Sequence, residues 1–275
     1  MQEQVAIYGI KGSYHQIASQ GYFDQEPIIT ECRSFREVLA FVRQTPRSFG
    51  VMAIENTVAG TLLQNLELLR NSGLRVVGEQ KLRITHSLAA IPGTTLSEVQ
   101  EICSHQMALL QCQAFLDTIP TVRTIEVNDT ATAAKHVAAF QQKQIAAICS
   151  QQAATINGLE ILAEGIETDK RNFTRFLIVT QKDNAEKNAG PVNKVSLVFS
   201  LPHTPGSLSR VLSVFADFGL NLTKIQSYPR IGAEWEYSFY VDLTFSNDEL
   251  YWQAIQTITP LTAELQILGE YTEAN

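Results

Sequence analysis

A polar segment, Gln181 to Lys194, divides this 275-residue chain into two unequal parts and limits the folds open to it. The segment contains Gly190-Pro191 and shows no apolar periodicity, which is typical of a linker. A chain of this length also exceeds the usual size of one compact core. The sequence therefore predicts a first domain over residues 1–181, a linker over 182–193 and a second domain over 194–275.

Short apolar runs alternate with amphipathic segments through the first part, which is the pattern of an α/β domain. Strands buried on both faces are predicted at the most apolar runs, Val5–Tyr8, Val51–Ile54, Ile145–Cys149 and Phe176–Val179. Helices are predicted after the capping residues Ser34 and Asp129 and along two apolar stripes, Leu62–Leu69 and Met107–Leu116.

One long extended stretch, Leu74 to Ile91, ends in the turn Pro92-Gly93. We interpret it as a crossing between two α/β lobes, with a return near residues 160–180. Two such lobes with a cleft between them are similar to periplasmic binding proteins, and ligands of α/β folds bind at the carboxyl ends of strands. The sequence therefore predicts a bilobal, periplasmic-binding-protein-like domain.

The pattern changes in the second part to strand, helix, strand, strand, helix, strand. These elements are predicted at Val195–Leu201, Pro205–Phe218, Asn221–Tyr228, Tyr237–Phe245, after the cap Ser246–Glu249, and at Glu264–Gly269. The βαββαβ order is the split ferredoxin-like arrangement. Because its sheet would have open edges and one face without helices, we expect pairing with further copies, as a homodimer or homotetramer.

Charge and composition exclude several classes of protein. The formal net charge of −7, without a basic stripe, argues against a nucleic-acid partner. No apolar run approaches the length of a membrane span and the N-terminus lacks a signal-peptide pattern, so a cytoplasmic protein without a membrane partner is expected. The four cysteines and five histidines are dispersed, which indicates buried thiols and no metal site.

Five segments resemble, in order, motifs of the prephenate dehydratase family. They are Tyr8-Gly9-Ile10-Lys11-Gly12-Ser13-Tyr14, Ile54–Gly60, Ser104-His105-Gln106 with Gln111-Cys112, Asn128–Ala131, and Asn172-Phe173-Thr174-Arg175-Phe176. Two later segments, Pro205–Leu208 and Gly219–Ile225, look like the ACT domain usually fused to this enzyme. The resemblance implies a lyase that converts prephenate to phenylpyruvate for phenylalanine biosynthesis, without a metal or organic cofactor and with L-phenylalanine as a possible effector.

The resemblance implies a part in turnover for four residues, Thr174, Asn56, Ser104 and Gln111. A threonine hydroxyl is too weak an acid to release a free proton, so Thr174 is expected to hydrogen-bond the departing hydroxyl as negative charge builds on it. Without the other motifs, Thr174 would be interpreted as an ordinary β-branched strand residue and Ser104 as a helix cap.

Substrate contacts are implied for six further residues, Arg175, Phe176, Glu55, Thr57, Gly12 and Ser13. The turn at Asn56 and Thr57, with Gly60 opening a helix, is expected to present backbone N–H groups to a carboxylate, and Gly12-Ser13 to do the same. Glu55 is expected to orient a neighbour rather than to act as a base.

Strand geometry leaves two interpretations of Arg175. In an extended strand Thr174 and Arg175 point to opposite faces, so both reach one ligand only at a strand end or a bend. Arg175 is therefore either an anchor for a substrate carboxylate or part of a salt bridge between lobes.

Effector contacts are implied for Gly206, Ser207, Leu208, Asn221, Leu222 and Gln226, at an interface between paired ACT domains. The family's Glu-Ser-Arg-Pro segment is Gln226-Ser227-Tyr228-Pro229 in this chain. Because a neutral amide replaces a carboxylate near the effector's amine, we expect inhibition by phenylalanine that is weaker than in relatives with the full motif.

Three other functions compete with this hypothesis. The substrate could be arogenate, the transaminated relative of prephenate. The chain could instead be a bilobal solute receptor fused to a sensor, or a non-catalytic regulator that only binds an amino acid.

Overall fold

A computed structural model describes residues 2–185, 192–230 and 236–274. The first domain has two α/β lobes, which confirms the predicted architecture. The strands of the first lobe are β1 (Gln4–Tyr8), β2 (Ile28–Cys32), β3 (Ser48–Asn56), β4 (Gly60–Thr61), β5 (Arg75–Arg83) and β11 (Phe173–Thr180). Its helices are α1 (Tyr14–Tyr22), α2 (Phe35–Gln44), α3 (Leu63–Arg70) and α8 (Lys182–Ala185).

The second lobe is inserted between β5 and β11. Its strands are β6 (Ser87–Ala90), β7 (Glu101–Ser104), β8 (Arg123–Glu126), β9 (Ile145–Cys149) and β10 (Glu160–Ala163), arranged in the order β10-β6-β9-β7-β8. Its helices are α4 (Gln106–Gln111), α5 (Gln113–Leu116), α6 (Thr130–Phe140) and α7 (Gln151–Ile156). The chain thus crosses between lobes after β5 and returns before β11, as the extended stretch predicts.

Two capping residues begin helices where the sequence predicts them. Ser34 Oγ accepts a hydrogen bond from Glu37 N at 3.2 Å at the start of α2. Asp129 Oδ1 accepts from Ala131 N and Thr132 N, both at 2.9 Å, at the start of α6. Each bond satisfies an amide that helix geometry leaves without a partner.

Two predicted helices differ from the structure. The stripe Met107–Leu116 forms two short helices, α4 and α5, which are separated at the buried Cys112. Gly60 does not open a helix: it lies in β4, which pairs with the end of β3 through Asn56, and α3 begins only at Leu63. The turn after β3 therefore closes as a small hairpin.

The second domain has the predicted βαββαβ order. Its elements are β12 (Lys194–Ser200), α9 (Ser207–Asp217), β13 (Asn221–Pro229), β14 (Tyr237–Thr244), α10 (Asp248–Ile258) and β15 (Glu264–Tyr271). Its sheet continues that of the first lobe, in the order β13-β14-β12-β15-β5-β11-β3-β1-β2. The strands meet where Gly269 pairs with Val76, and a Cβ on Gly269 would lie 2.1 Å from the Val76 carbonyl oxygen.

The face of the second sheet that carries no helices packs against the first domain. Val198, Tyr240 and Leu268 from this face share a core with Leu66 and Leu69 of α3. This corrects the expectation that another copy of the chain covers that face. The strand β13 still lies at one edge of the continuous sheet.

Within the described ranges, no helix is long and apolar enough to cross a membrane.

Candidate active site

A cleft of about 810 Å³ lies between the two lobes of the first domain. The first lobe contributes the ends of β3 and β11 and the start of α2, and the second contributes α4 and the cap of α6. Its lining side chains include Ala53, Asn56, Leu62, Gln111, Thr174, Phe176, Tyr14, His15, His86, Arg33, Arg36 and Asp129. The cleft therefore joins segments that are far apart in sequence.

Three carboxamides form a closed ring of hydrogen bonds at the base of this cleft. Asn56 Nδ2 donates to Asn172 Oδ1 at 2.7 Å, Asn172 Nδ2 donates to Gln111 Oε1 at 3.0 Å, and Gln111 Nε2 donates to Asn56 Oδ1 at 3.3 Å. All three residues are buried. Because each amide both donates and accepts, the ring is satisfied without charge and fixes the three side chains relative to one another.

The hydroxyl of Thr174 is attached to this ring as an acceptor. Asn56 Nδ2 donates to Thr174 Oγ1 at 2.9 Å. No acceptor for the hydroxyl proton lies among the described residues. Thr174 can therefore donate that proton in a hydrogen bond to a ligand, and the bond it accepts polarises it in that direction.

Two of the three histidines that line the cleft, His15 and His86, have pKa values lowered by burial. Burial lowers the pKa of His86, although a hydrogen bond to Gln111 and the nearby Glu167 oppose the change. Its Nε2 lies 2.9 Å from Gln111 Oε1 and its Nδ1 lies 2.9 Å from Tyr14 Oη. Burial lowers the pKa of His15 to about 3.

Permanent positive charge enters the cleft from Arg33 and Arg36, which flank the Ser34 cap of α2. Both arginines are exposed. Among the described lining residues Asp129 is the one carboxylate, and its oxygens already accept from Ala131 N, Thr132 N and Thr132 Oγ1. The cleft is thus better suited to an anion than to a cation.

Arg175 and Glu55 lie on the other face of their strands, away from the cleft. Arg175 Nε is 2.5 Å from Glu79 Oε2 and its Nη1 pairs with Asp242 of the second domain. Glu55 Oε2 is 3.0 Å from Lys224 Nζ of the second domain. These contacts correct the substrate roles expected for both residues. The alternative for Arg175 was a salt bridge between the two lobes. The structure shows a salt bridge, but it joins the two domains.

Ser104 also points away from the cleft. It is fully buried, and its Oγ donates to Ile148 O at 2.6 Å, which ties β7 to β9. The following residue, His105, caps α4 instead, since its Nδ1 accepts from Met107 N at 3.2 Å. This geometry corrects the catalytic role expected for Ser104.

The backbone amides expected to bind carboxylates are already engaged. Gly12 N donates to Gln16 Oε1 at 2.6 Å, Ser13 N donates to Ile10 O, and Thr57 N donates to Phe173 O. Gly12 lies against the second lobe, where Ser150 Oγ donates to its carbonyl. Ser13 lines the cleft as the cap of α1, whereas Thr57 lies outside it. The prediction that these two turns present free N–H groups to a carboxylate is therefore wrong.

From the predicted set, the structure brings together Asn56, Gln111, Thr174, Phe176 and Ser13. Sequence reasoning did not assign Asn172 or His86 to the site, nor Arg33 and Arg36. A signal existed for Asn172, which lies two residues before Thr174 and so shares its strand face. The arginines flank a helix cap that the sequence identifies, but nothing local shows that this cap faces the cleft.

Five of the six predicted effector residues lie at the two ends of α9 in one protomer, and the sixth, Gln226, lies further along β13. Gly206 precedes the helix and Ser207 and Leu208 begin it, whereas Asn221 and Leu222 follow it at the start of β13. A helix of 11 residues spans roughly 16 Å at 1.5 Å per residue. A single amino-acid site that contains both groups therefore requires two copies of the chain.

Among the described residues no group of three or more His, Cys, Asp and Glu side chains could hold a metal ion.

Comparison with known proteins identifies relatives of both domains. Residues 5–184 match the family model of prephenate dehydratase and residues 195–249 match that of the ACT domain. The bifunctional chorismate mutase/prephenate dehydratase of Aquifex aeolicus is 33% identical over 98% of this chain and 74% of its own length. Arogenate dehydratase/prephenate dehydratase 2 of Arabidopsis thaliana is 34% identical over 98% of this chain and 72% of its own.

Two solved structures share the whole architecture. GqqA, described as a novel type of quorum quenching acylase, is 29% identical with a TM-score of 0.87, covering 99% of this chain and 98% of that chain. Prephenate dehydratase of Arthrobacter aurescens in complex with L-Phe is 26% identical with a TM-score of 0.85, covering 98% and 90%.

Replacing Asn172 with alanine should open the amide ring. Asn56 and Gln111 would each lose a buried partner, so we expect the free energy of unfolding to fall by about 1–3 kcal/mol. Chemical denaturation measures this change. Asn71→Ala is the control, since Asn71 is exposed and bonds only to the neighbouring Glu67. Equal losses in the two variants would contradict the structural importance of the ring.

Proposed function

The chain belongs to the prephenate dehydratase family, and from that membership and the site geometry we propose that it converts prephenate to phenylpyruvate in the interlobe cleft. Prephenate is a cyclohexadiene with a carboxylate on one ring carbon and a hydroxyl on the opposite one. The carboxylate leaves as carbon dioxide, its bonding electrons enter the ring, and the carbon–oxygen bond of the hydroxyl breaks. The departing oxygen takes a proton from solvent and leaves as water. Formation of the aromatic ring drives the reaction.

The observation that carries the proposal is the free donor of Thr174. Negative charge builds on the hydroxyl oxygen as its bond to the ring breaks, and a hydrogen bond placed there in advance stabilises that charge. The ring of Asn56, Asn172 and Gln111 holds the threonine oxygen in place. No step requires a base strong enough to abstract a proton from carbon, which agrees with two histidines that burial makes weaker bases by lowering their pKa.

The opposite requirement, loss of charge from the ring carboxylate, is met by apolar walls. Ala53, Leu62 and Phe176 line the cleft, and Phe176 packs edge-on against the His15 ring with centroids 5.1 Å apart. Apolar surroundings destabilise the charged carboxylate of the ground state more than the transition state, in which that charge is already being lost. The barrier to loss of carbon dioxide is therefore lowered.

We assign the anchoring of the substrate's side-chain carboxylate, which does not react, to Arg33 and Arg36. A guanidinium group matches a carboxylate in geometry and stays charged. These arginines also support prephenate over arogenate as the preferred substrate. Arogenate carries the same two carboxylates together with an ammonium group, so its net negative charge is smaller and its attraction to these arginines is weaker.

The acylase activity by which GqqA is described would require a nucleophile beside a base. Within the described part of the cleft, the Thr174 oxygen accepts from an amide, and the His86 nitrogens face Gln111 and Tyr14. Thr174 and His86 therefore do not form such a nucleophile–base pair.

The second domain supports regulation by L-phenylalanine, the amino acid in the related Arthrobacter structure. We place the effector between two copies of the chain, because one copy separates Gly206 from Asn221 along the length of α9. The open strand β13 offers the edge along which two copies could pair, in a dimer or a tetramer of such pairs.

Removing the Thr174 hydroxyl should leave the fold intact and slow turnover. We expect Thr174→Ala to lower kcat by roughly 10²–10³-fold, as for other transition-state hydrogen-bond donors. Thr174→Ser is the matched control, because it keeps the donor and should retain most activity. Phenylpyruvate formation from prephenate and from arogenate, followed in parallel, is the measurement. An alanine variant within a few-fold of wild type would show that the donor is not used, and no turnover by the wild type would remove the proposed function.

Removing the guanidinium groups should weaken substrate binding. We expect Arg33→Ala or Arg36→Ala to raise KM by about tenfold with a smaller effect on kcat, since one charged hydrogen bond contributes about 1.5–3 kcal/mol. Arg43→Ala is the control, because Arg43 is an exposed residue of α2 that lies outside the cleft. Unchanged KM in both cleft variants would place the anchor elsewhere.

The neutral side chain of Gln226 should limit effector affinity. We expect Gln226→Glu to lower the phenylalanine concentration that gives half-inhibition by about tenfold, the difference between a neutral and a charged hydrogen bond. Titration of phenylalanine into the prephenate assay measures it. Tight inhibition of the wild type that the glutamate leaves unchanged or worsens would contradict this explanation.

A further inference from the structure

Two pairs of neighbouring residues connect the cleft to the second domain. The register of β3 and β11 places Asn56 opposite Thr174 and Glu55 opposite Arg175. Asn56 and Thr174 face the cleft, whereas Glu55 and Arg175 face the second domain. Successive residues of a strand are joined by a planar peptide unit. A displacement of the backbone at one residue therefore also displaces the backbone of the next residue.

A bulge lies at this point of the ladder. Arg175 pairs with Glu55 but Phe176 pairs with Ala53, so Ile54 is an extra residue in β3. The extra residue lets both Ala53 and Asn56 face the cleft, which strict alternation would forbid. Since the ladder is interrupted at Ile54, the contacts of Glu55 on the opposite face also bear on where Asn56 points, in addition to the amide ring and the pairing with β4.

The contacts on that opposite face are charged groups shared with the second domain. Arg175, whose side chain is 10% exposed, pairs with Glu79 and Asp242 and donates to Tyr271 Oη at 2.8 Å. Lys224 of β13 is 7% exposed and lies 3.0 Å from Glu55 Oε2. The Arg175–Asp242 pair is buried on both sides and loses much of its stabilisation if either partner moves alone, which couples β11 to the second sheet. The Lys224–Glu55 pair, whose carboxylate is 37% exposed, couples β3 to that sheet more weakly.

We propose that Glu55 and Arg175 are positioning residues for Asn56 and Thr174, and that Lys224 and Asp242 of the second domain complete the active site through them. This inference rests on the proposed function of the cleft. The second domain would then be a structural part of the catalytic machinery, and any shift of its sheet would change the orientation of the Thr174 donor.

The test compares two kinds of contact between the domains: those that involve β3 or β11, and one that does not. Lys224→Met and Asp242→Asn remove partners of Glu55 and Arg175 without touching the cleft. Tyr240→Phe removes another link between domains, the 2.6 Å bond from Tyr240 Oη to Glu67 Oε2 of α3, which does not involve β3 or β11. Lys224→Arg keeps the charge and serves as the conservative rescue.

We expect Lys224→Met and Asp242→Asn to lower kcat roughly five- to thirtyfold with little change in KM, a range typical of coupling between sites. Tyr240→Phe and Lys224→Arg should stay near wild-type kcat. If Tyr240→Phe lowers kcat as much as Lys224→Met, or if neither Lys224→Met nor Asp242→Asn lowers it, the pairs only hold the domains together and the proposal is wrong. Should Asp242→Asn fail to fold, Lys224→Met decides, because its partner Glu55 is partly exposed.

Hydrogen exchange gives a second readout that does not depend on turnover. We expect Lys224→Met to speed amide exchange at residues 54–58 and 172–176, and Tyr240→Phe to leave these segments unchanged. A wild type without turnover on prephenate or arogenate would remove the proposed function, while exchange would still test the link. Unchanged exchange in Lys224→Met would overturn the link itself.

Discussion

The antiparallel pairing of β3 with β11 is the contact on which the rest of this structure depends. Thr174 is paired with Asn56 across 118 positions of sequence. The whole second lobe lies between these strands in the chain, so their pairing closes the first lobe and fixes where the chain leaves and returns. The same pairing places a hydroxyl donor against an amide ring on one face and a set of ion pairs on the other.

The two faces of this strand pair differ in their electrostatics. The cleft face must meet a substrate with two carboxylates, so neutral amides, an uncharged hydroxyl and histidines kept neutral by burial avoid both repulsion and excessive ground-state attraction near the reacting carbons. The opposite face carries full charges in balance, with Arg175 and Lys194 against Glu79 and Asp242. Burial by itself would raise the pKa of the Asp242 carboxyl, but Arg175 and the Ser196 hydroxyl hold it below its usual range. The charges that stabilise the junction are thereby kept out of the cleft.

The sequence was sufficient for the fold and for half of the site, and the reason lies in the range of the interactions. Local signals such as the caps Ser34 and Asp129, and the βαββαβ order, depend on neighbours in sequence and were predicted correctly. Strand alternation also warned that Thr174 and Arg175 could not face one ligand directly. The partner of Arg175 could not be found this way, because Asp242 is 67 positions away and belongs to the other domain. The role of Ser104 was misassigned since its acceptor is the carbonyl of Ile148, a contact of the sheet that no local pattern reveals.

The junction also shows why the polar segment after β11 does not separate two independent bodies. Undocking the second domain would expose Leu66, Leu69 and Val76 to water and leave the Arg175–Glu79 pair without Asp242, Lys194 and Tyr271. Exposing apolar area costs free energy in proportion to that area, and leaving buried charges partly unpaired adds several kcal/mol more. The docked arrangement is therefore strongly favoured over separation, and what remains available to the second domain is a small shift of its sheet. Such a shift would act first on the ion pairs of Glu55 and Arg175, because they are the charged contacts nearest to the bulge beside Asn56.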